Sequence, residues 1–274
     1  MNRFYKTIKA LGIILRNPWK LNLVIDNNEE WKRYLNKKYN QDNLPVIPLS
    51  FFTGNSATVE PHSFLDGGSG ITDMALLRQI AAKTKGCIYF EIGTWRGESV
   101  ANVASEAAMC YTLNLPEQEL KKYLDDPGFL ESQATFSHEL GNVRHLYGNS
   151  REFKFAGLNV KPDLIFIDGD HHYESIVSDT KNMLEIMCHD DTIIVWHDYA
   201  YTPEIIRYET LAAILDACPD RLHRQLYHVE NTICAILYRK EIESAPFVKY
   251  APPKHIFHVN FQIEQLKPDN RTDK

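Results

Sequence analysis

The densest reactive stretch is Leu164-Ile165-Phe166-Ile167-Asp168-Gly169-Asp170-His171-His172-Tyr173-Glu174, where two acids and two imidazoles follow four apolar residues. Gathering ionisable groups at the end of a buried strand is costly, so the cluster reads as a place for proton transfer or for a cation. A second apolar run, Thr192-Ile193-Ile194-Val195-Trp196, delivers His197 and Asp198 in the same way. Carboxylates such as those of Asp168 and Asp198 suit an oxygen-preferring cation such as Mg²⁺, whereas His197 suits a softer divalent ion. A histidine that titrates near neutrality can take the proton of an alcohol. His171, His172 and His197 are the candidates, and His171 is favoured because it follows the acidic pair.

A third reactive run is Tyr89-Phe90-Glu91-Ile92-Gly93-Thr94-Trp95-Arg96-Gly97-Glu98-Ser99, an apolar strand that breaks into a glycine turn and then a helix. Gly93 and Gly97 allow the backbone to approach a ligand, and the first helical turn offers N–H groups to a carboxylate or phosphate. Glu91 at the strand end can face a cationic part of the same ligand. A dinucleotide site needs Gly-x-Gly-x-x-Gly and a P-loop needs Gly-x-x-x-x-Gly-Lys-Ser/Thr; this run has neither spacing.

These residues need a scaffold that brings strand ends together. Apolar segments at 87–91, 110–115, 143–147, 164–168 and 192–197 alternate with helical patterns such as 99–109 and 173–187, the signature of a parallel sheet covered by helices. Segments 224–229 and 233–239 read as two further strands joined by a short turn. Ligands bind beyond the carboxyl ends of such strands, which adds Asn114 at the second end and Gly148-Asn149-Ser150 at the third. Both sites also allow a plain reading, with Asn114, Asn149 or Ser150 capping the helix that follows.

An acid, a glycine two residues on and a glycine four further, between strand and helix, resembles motif I of the class I S-adenosylmethionine-dependent methyltransferases. Asp-Gly-Asp-His-x-Tyr at 168–173 is similar to the strand-four motif of O-methyltransferases acting on sugars and natural products, and of the related cephalosporin-hydroxylase-like group. The likeness covers about residues 72–240. It implies a Rossmann-like, doubly wound, mostly parallel seven-stranded α/β sheet with a terminal antiparallel hairpin, and S-adenosyl-L-methionine as cofactor. It places Glu91, Gly93, Thr94, Gly97 and Asp168 at the cofactor, Asn114 at the ribose, and Asn149 and Ser150 by the adenine. His171, Asp168 and His197 become the catalytic residues, with Asp168 and Asp198 holding Mg²⁺ or another divalent cation. The acceptor it implies is a hydroxyl of a saccharide or small metabolite.

Three departures stand out. Asn114 and Asn149 replace acids usual in the family, keeping hydrogen bonds but losing charge. The metal-dependent catechol and caffeoyl-coenzyme A type ends strand five in Asp-Asn, here His197-Asp198, and its lysine base falls at about His171. Two rivals therefore stay open: a hydroxylase on the same fold using His197 with Asp168 or Asp198 on non-haem iron, and a non-catalytic binding protein.

The 274 residues, 44% hydrophobic and 24% charged, fit one main domain, 72–240, with an accessory segment 1–71 and an extension 241–274. A net charge of −6 argues against a nucleic-acid partner. Five cysteines without Cys-x-x-Cys suit small buried hydrophobes in a reducing cytoplasm. No apolar stretch approaches the length of a membrane span.

At the N-terminus Phe4, Ile8, Leu11 and Leu15 share one helical stripe and Arg3, Lys6, Arg16 and Lys20 another. Peripheral membrane contact through residues 1–20 is one reading; docking on the protein's own core, or on a second subunit in a homo-oligomer, is the one expected. Asp66-Gly67-Gly68-Ser69-Gly70 reads as a loop, able to act as a lid, before a helix capped by Thr72 or Asp73. Trp95, Tyr173, Tyr199 and Tyr201 serve either as core or as a wall for a sugar ring. Residues 255–263 alternate like an edge strand or partner-binding arm, and the polar tail from Lys267 is expected to be disordered.

Overall fold

Alternating burial on both faces of short apolar strands dictates a sheet sandwiched between helices. The computed structural model describes residues 2–18, 27–124 and 126–266, so Lys20 and the tail from Lys267 lie outside the described residues. The N-terminal part contributes α1 (Arg3–Arg16), α2 (Asn28–Tyr39), β1 (Val46–Ile47) and α3 (Leu49–Thr53), followed by α4 (Ile71–Lys83). The alternating part runs β2 (Ile88–Ile92), α5 (Glu98–Ala104), β3 (Met109–Asn114), α6 (Glu117–Tyr123), α7 (Pro127–Glu131), β4 (Val143–Tyr147), β5 (Leu164–Ile167), α8 (Tyr173–Asn182) and β6 (Ile193–Trp196). A small hairpin of β7 (Ala200–Thr202) and β8 (Ile205–Ile206), then α9 (Tyr208–Ala217), β9 (Leu226–Val229) and β10 (Ala235–Leu237), complete the ordered elements.

The main sheet has the order β1-β9-β10-β6-β5-β2-β3-β4. Pairings from β6 through β4 are parallel, while β10 runs antiparallel to both β6 and β9. This is the expected seven-stranded sheet with its antiparallel hairpin, extended by an eighth strand, β1, which pairs in parallel with β9. The accessory segment is thus built into the sheet. Strand order reverses between β2 and β5, and a crevice opens at their carboxyl ends.

Period-two alternation splits the strands between two cores. Phe90, Ile92, Ile165, Ile167, Ile194 and Trp196 face one apolar layer with α8 and α9. Tyr89, Leu164, Phe166 and Val195 face the other, with Leu76 and Leu77 of α4 and Val100 of α5. Burying each such large side chain contributes about 1.5–3 kcal/mol. On the first face Asp216 of α9 ties α2 down, accepting hydrogen bonds from Tyr34 (2.5 Å), Tyr39, Tyr173 (2.5 Å) and Lys38 (2.7 Å). Burial would raise its pKa, but these donors hold the carboxyl down at about 2. Trp31 of α2 stacks on Tyr173 with centroids 4.8 Å apart.

Several local expectations are corrected. The helix expected over 99–109 ends at Ala104, because the N–H groups of Ala108 and Met109 already bond the Cys87 carbonyl and lead into β3. The N-cap of α4 is Gly70, and Asp73 lies three residues on, where its Oδ2 accepts the Gly70 N–H at 2.9 Å. The helix from Tyr173 stays α-helical to Asn182 and closes in a π turn over Met183–Met187. Residues 255–263 form no strand; Phe257, Val259, Phe261 and Ile263 are exposed.

Candidate active site

The ladder bonds run one step past each strand and bring the site residues into a row. Gly93 N–H donates to Leu113 O (2.9 Å), Asp168 N–H to Ile92 O (2.9 Å), His197 N–H to Ile167 O (3.0 Å) and Gly148 N–H to Asn114 O (2.9 Å). Gly93, Asp168, His197, Asn114 and Gly148 therefore line one edge of the sheet. A cavity of about 710 Å³ opens there. Its walls include Gly93, Thr94, Gly97, Asn114, Asn149, Ser150, Asp168, His171, His197 and Asp198. Of the residues expected at the site from sequence, only Glu91 is missing from the lining.

Glu91 is turned into the core and is fully buried. Its oxygens accept hydrogen bonds from Tyr89 OH (2.7 Å), Ser99 Oγ (2.8 Å) and Thr112 Oγ1 (2.7 Å). Burial pushes the carboxyl up to about 7, although those three donors pull the other way and Asp168 adds its repulsion. The expected contact between Glu91 and a cationic ligand group is corrected. The acid instead knits β2 to β3 and α5, and a short hydroxyl contact from Thr112 to Thr94 carries that network to the cavity wall.

The glycines also act differently from the sequence expectation. Gly93 has φ +98°, and a Cβ there would stand 2.0 Å from the Asp168 carbonyl oxygen. At Gly97, φ +79°, a Cβ would stand 2.1 Å from Ser137 Oγ. Both positions need glycine because chain meets chain, before any ligand is considered. The helix that follows, α5, is only seven residues long, and its first turn carries Glu98, which accepts the Ser63 N–H at 2.5 Å. An acid of the chain itself already sits in the turn expected to seat an anion.

At the ends of β5 and β6 the polar groups are less settled. His197 is nine-tenths buried, with Nδ1 3.0 Å from Asp168 Oδ1 and 3.6 Å from Asp198 Oδ1, and Nε2 3.5 Å from Asp73 Oδ2. Neither ring nitrogen makes a directed hydrogen bond. Burial would lower the pKa of His197, but Asp168 and then Asp73 raise it well above the usual imidazole value. His171 Nδ1 lies 3.0 Å from Asp198 Oδ2. Its pKa is lowered by burial and raised more strongly by that carboxylate, with a net upward shift. Asp198 itself sits at φ +50° and Trp95 at φ +40°, the sparsely populated backbone that collects at functional sites.

His172 also lines the cavity but is engaged by a different acid. Its Nδ1 pairs with Asp170 at 2.5 Å, Ser175 Oγ donates to the same carboxylate at 2.7 Å, and together they fix the start of α8. Of the four aromatics considered as an acceptor wall, only Trp95 lines the cavity. Tyr173 is committed to Trp31 and Asp216, Tyr199 is wholly buried and accepts the Leu44 N–H, and Tyr201 is exposed.

Sequence reasoning missed Asp73, Ser69, Arg96 and Gln133. Asp73 is buried and bonded to the N–H groups of Gly70 and Ile233, so its carboxylate is fixed opposite His197. Ser69 Oγ stands 3.5 Å from Asp168 Oδ2, and Arg96 clasps the Asp66 carbonyl with both terminal nitrogens (3.2 and 2.7 Å), holding Gly67 and Gly68 over the cavity. Gln133 Oε1 accepts from Asn114 Nδ2 at 2.8 Å. Only the density of glycines at 67–70 hinted at this part of the wall.

Residues 90–199 match the family described as a methyltransferase domain, a span that takes in the carboxyl half of β2 and all of β3 through β6. That span resembles a methyltransferase domain and covers less than half of the chain. Among curated proteins none matches the sequence. Among solved structures the chain is similar to the S-adenosylhomocysteine-bound methyltransferase PaMTH1 of Podospora anserina, at 17% identity and TM-score 0.46 over 64% of this chain and 81% of that one. It is also similar to cofactor-bound Rv0187 from MTB, at 19% identity and TM-score 0.46, covering 65% and 84%. A third is CalS11, a TDP-rhamnose 3′-O-methyltransferase of calicheamicin biosynthesis, at 16% identity and TM-score 0.40, covering 62% and 78%.

Proposed function

We propose that this chain is an S-adenosyl-L-methionine-dependent methyltransferase that transfers the methyl group to a hydroxyl of a saccharide or similar small metabolite, with a divalent cation beside the acceptor. The observation that carries the reading is the cluster of Asp168, His197 and Asp198, whose ligand atoms lie within 4.8 Å of one another around a buried imidazole nitrogen without a hydrogen bond. Two carboxylate oxygens and one imidazole nitrogen fit a divalent transition ion such as Mn²⁺ better than Mg²⁺. Asp73, 3.5 Å from the far ring nitrogen, favours the tautomer protonated on Nε2, which turns the Nδ1 lone pair toward Asp168 and Asp198. A cation held there would supply positive charge that favours the ionised form of the acceptor hydroxyl.

S-adenosyl-L-methionine brings, when bound, a sulfonium methyl that is already an electrophile. The residues of the chain have to position and deprotonate. Thr94, Asn114, Asn149 and Ser150 bind the donor along the ends of β2, β3 and β4. Asp198 holds the Nδ1 proton of His171, so the Nε2 lone pair faces outward as general base. His171 Nε2 takes the hydroxyl proton as the oxygen-to-methyl bond forms and the sulfur-to-methyl bond breaks, leaving a thioether. Ser69 and the 66–70 loop cover the site and exclude water.

The test is calorimetric titration of the donor and of Mn²⁺ into wild type, Asp168→Asn and His171→Asn, with methyl transfer measured before and after chelation. The expected result is donor binding in all three, loss of Mn²⁺ binding only in Asp168→Asn, and transfer abolished by chelator and restored by Mn²⁺. Full transfer in chelator by an Asp168→Asn enzyme overturns the cation.

A further inference from the structure

The helix α1 carries an apolar face that nothing in the described chain covers. Phe4, Ile8, Leu11 and Leu15 are 73%, 54%, 55% and 80% exposed, and no residue of the helix is buried. This corrects the expectation that the helix docks on the protein's own core. At 100° per residue these four side chains fall within one narrow stripe, while Arg3, Lys6, Lys9 and Arg16 fan out over the opposite side. The helix contains no acidic residue, and among the described residues no ion pair joins it to the rest of the chain. Its ends are finished from within: Asn2 Oδ1 accepts the Phe4 N–H, and Asn17 Nδ2 donates to the Ile13 carbonyl at 3.2 Å.

A cationic helix on a chain of net charge −6 is a marked separation of charge. We propose that α1 lies flat on an anionic lipid bilayer, its apolar stripe in the acyl boundary and its basic side chains among the headgroups. Charge selects the occupant, because a purely apolar dock would need no cations, whereas an anionic surface concentrates them within a Debye length. Fourteen residues span about 21 Å, which suits lying along the surface, and no described helix is long and apolar enough to cross it. The catalytic domain is thereby held near acceptors presented at that surface. The inference is independent of the cation and base proposed above, since no residue of α1 lines the cavity.

Sedimentation of the full chain with vesicles tests it, using phosphatidylcholine alone and phosphatidylcholine with about 30% phosphatidylglycerol. The wild type is expected to sediment with the anionic vesicles only, to be released by about 0.5 M salt, and to bind at least thirtyfold more weakly as Lys6→Glu/Lys9→Glu. Leu11→Asp is expected to lose binding while remaining folded by circular dichroism. Equal binding by wild type and the charge-reversed variant overturns the proposal, as does equal binding to neutral vesicles. A wild-type dimer that Leu11→Asp dissociates in ultracentrifugation, without vesicle binding, also overturns it and names a second copy as the occupant.

Discussion

The two ends of the cavity solve the burial of polar groups in opposite ways. At the ends of β2 and β3 the chain satisfies itself: Glu91 is held by three hydroxyl donors, and Asn114 by Gln133. At the ends of β5 and β6 the same kind of burial leaves His197 among three carboxylates without a directed hydrogen bond. A satisfied network rigidifies a cradle, whereas an unsatisfied one is costly unless a ligand or proton completes it. The β2–β3 end is therefore preformed, and the β5–β6 end is the one that a ligand or proton would complete.

The largest expected effect separates chemistry from binding. His171→Asn should lower methyl transfer about 10²–10⁴-fold while leaving donor affinity within a few-fold, read from initial rates and calorimetry. The wild-type rate should rise with pH through a pKa above the ordinary 6.5 of histidine, because Asp198 outweighs burial there, and the variant should lack that limb. A variant that loses donor binding in proportion would place His171 at the cradle and erase the distinction.

Gly93→Ala should cost about 3–5 kcal/mol of stability in denaturant unfolding, because φ +98° is strained for any L side chain and the new methyl meets the Asp168 carbonyl. A stable Gly93→Ala protein that merely loses donor affinity would restore the reading in which this glycine makes room for a ligand.

Glu91 gives a pH test of the preformed end. Its folded carboxyl keeps its proton to about 7, whereas the unfolded one loses it near 4.5. Between those values the unfolded chain binds fewer protons, so this group's stability is fully present below about 4.5 and is lost as pH rises through about 7. Glu91→Gln should abolish that loss, and the stability difference between variant and wild type should change by about 3 kcal/mol from acid to mildly alkaline pH. A difference that stays constant with pH would mean Glu91 is ionised in the core.

The smallest effect expected is at Asp73. Asp73→Asn should weaken Mn²⁺ binding about 10–100-fold without removing it, because the carboxylate orients His197 and does not itself ligate. Unchanged Mn²⁺ affinity would reduce Asp73 to the cap of α4.

The sequence by itself determined the sheet and its reactive edge. Short apolar runs ending at Asp168, His197, Asn114 and Gly148 are local signals, and parallel strands with helical crossovers must put their carboxyl ends on one side. Their order along the chain was enough to bring all but one of the candidate residues to the wall of one cavity. Tertiary structure alone decided the direction of each side chain. Glu91 and Asp168 both stand within two residues of a glycine at a strand end, yet Glu91 meets the hydroxyls of Tyr89, Ser99 and Thr112, while Asp168 meets His197 and the cavity. Asp73 lies 124 positions before His197 and carries no local mark beyond the start of a helix. Its role arises only where α4 packs its first turn against the end of β6, a contact between distant segments that no short-range pattern encodes.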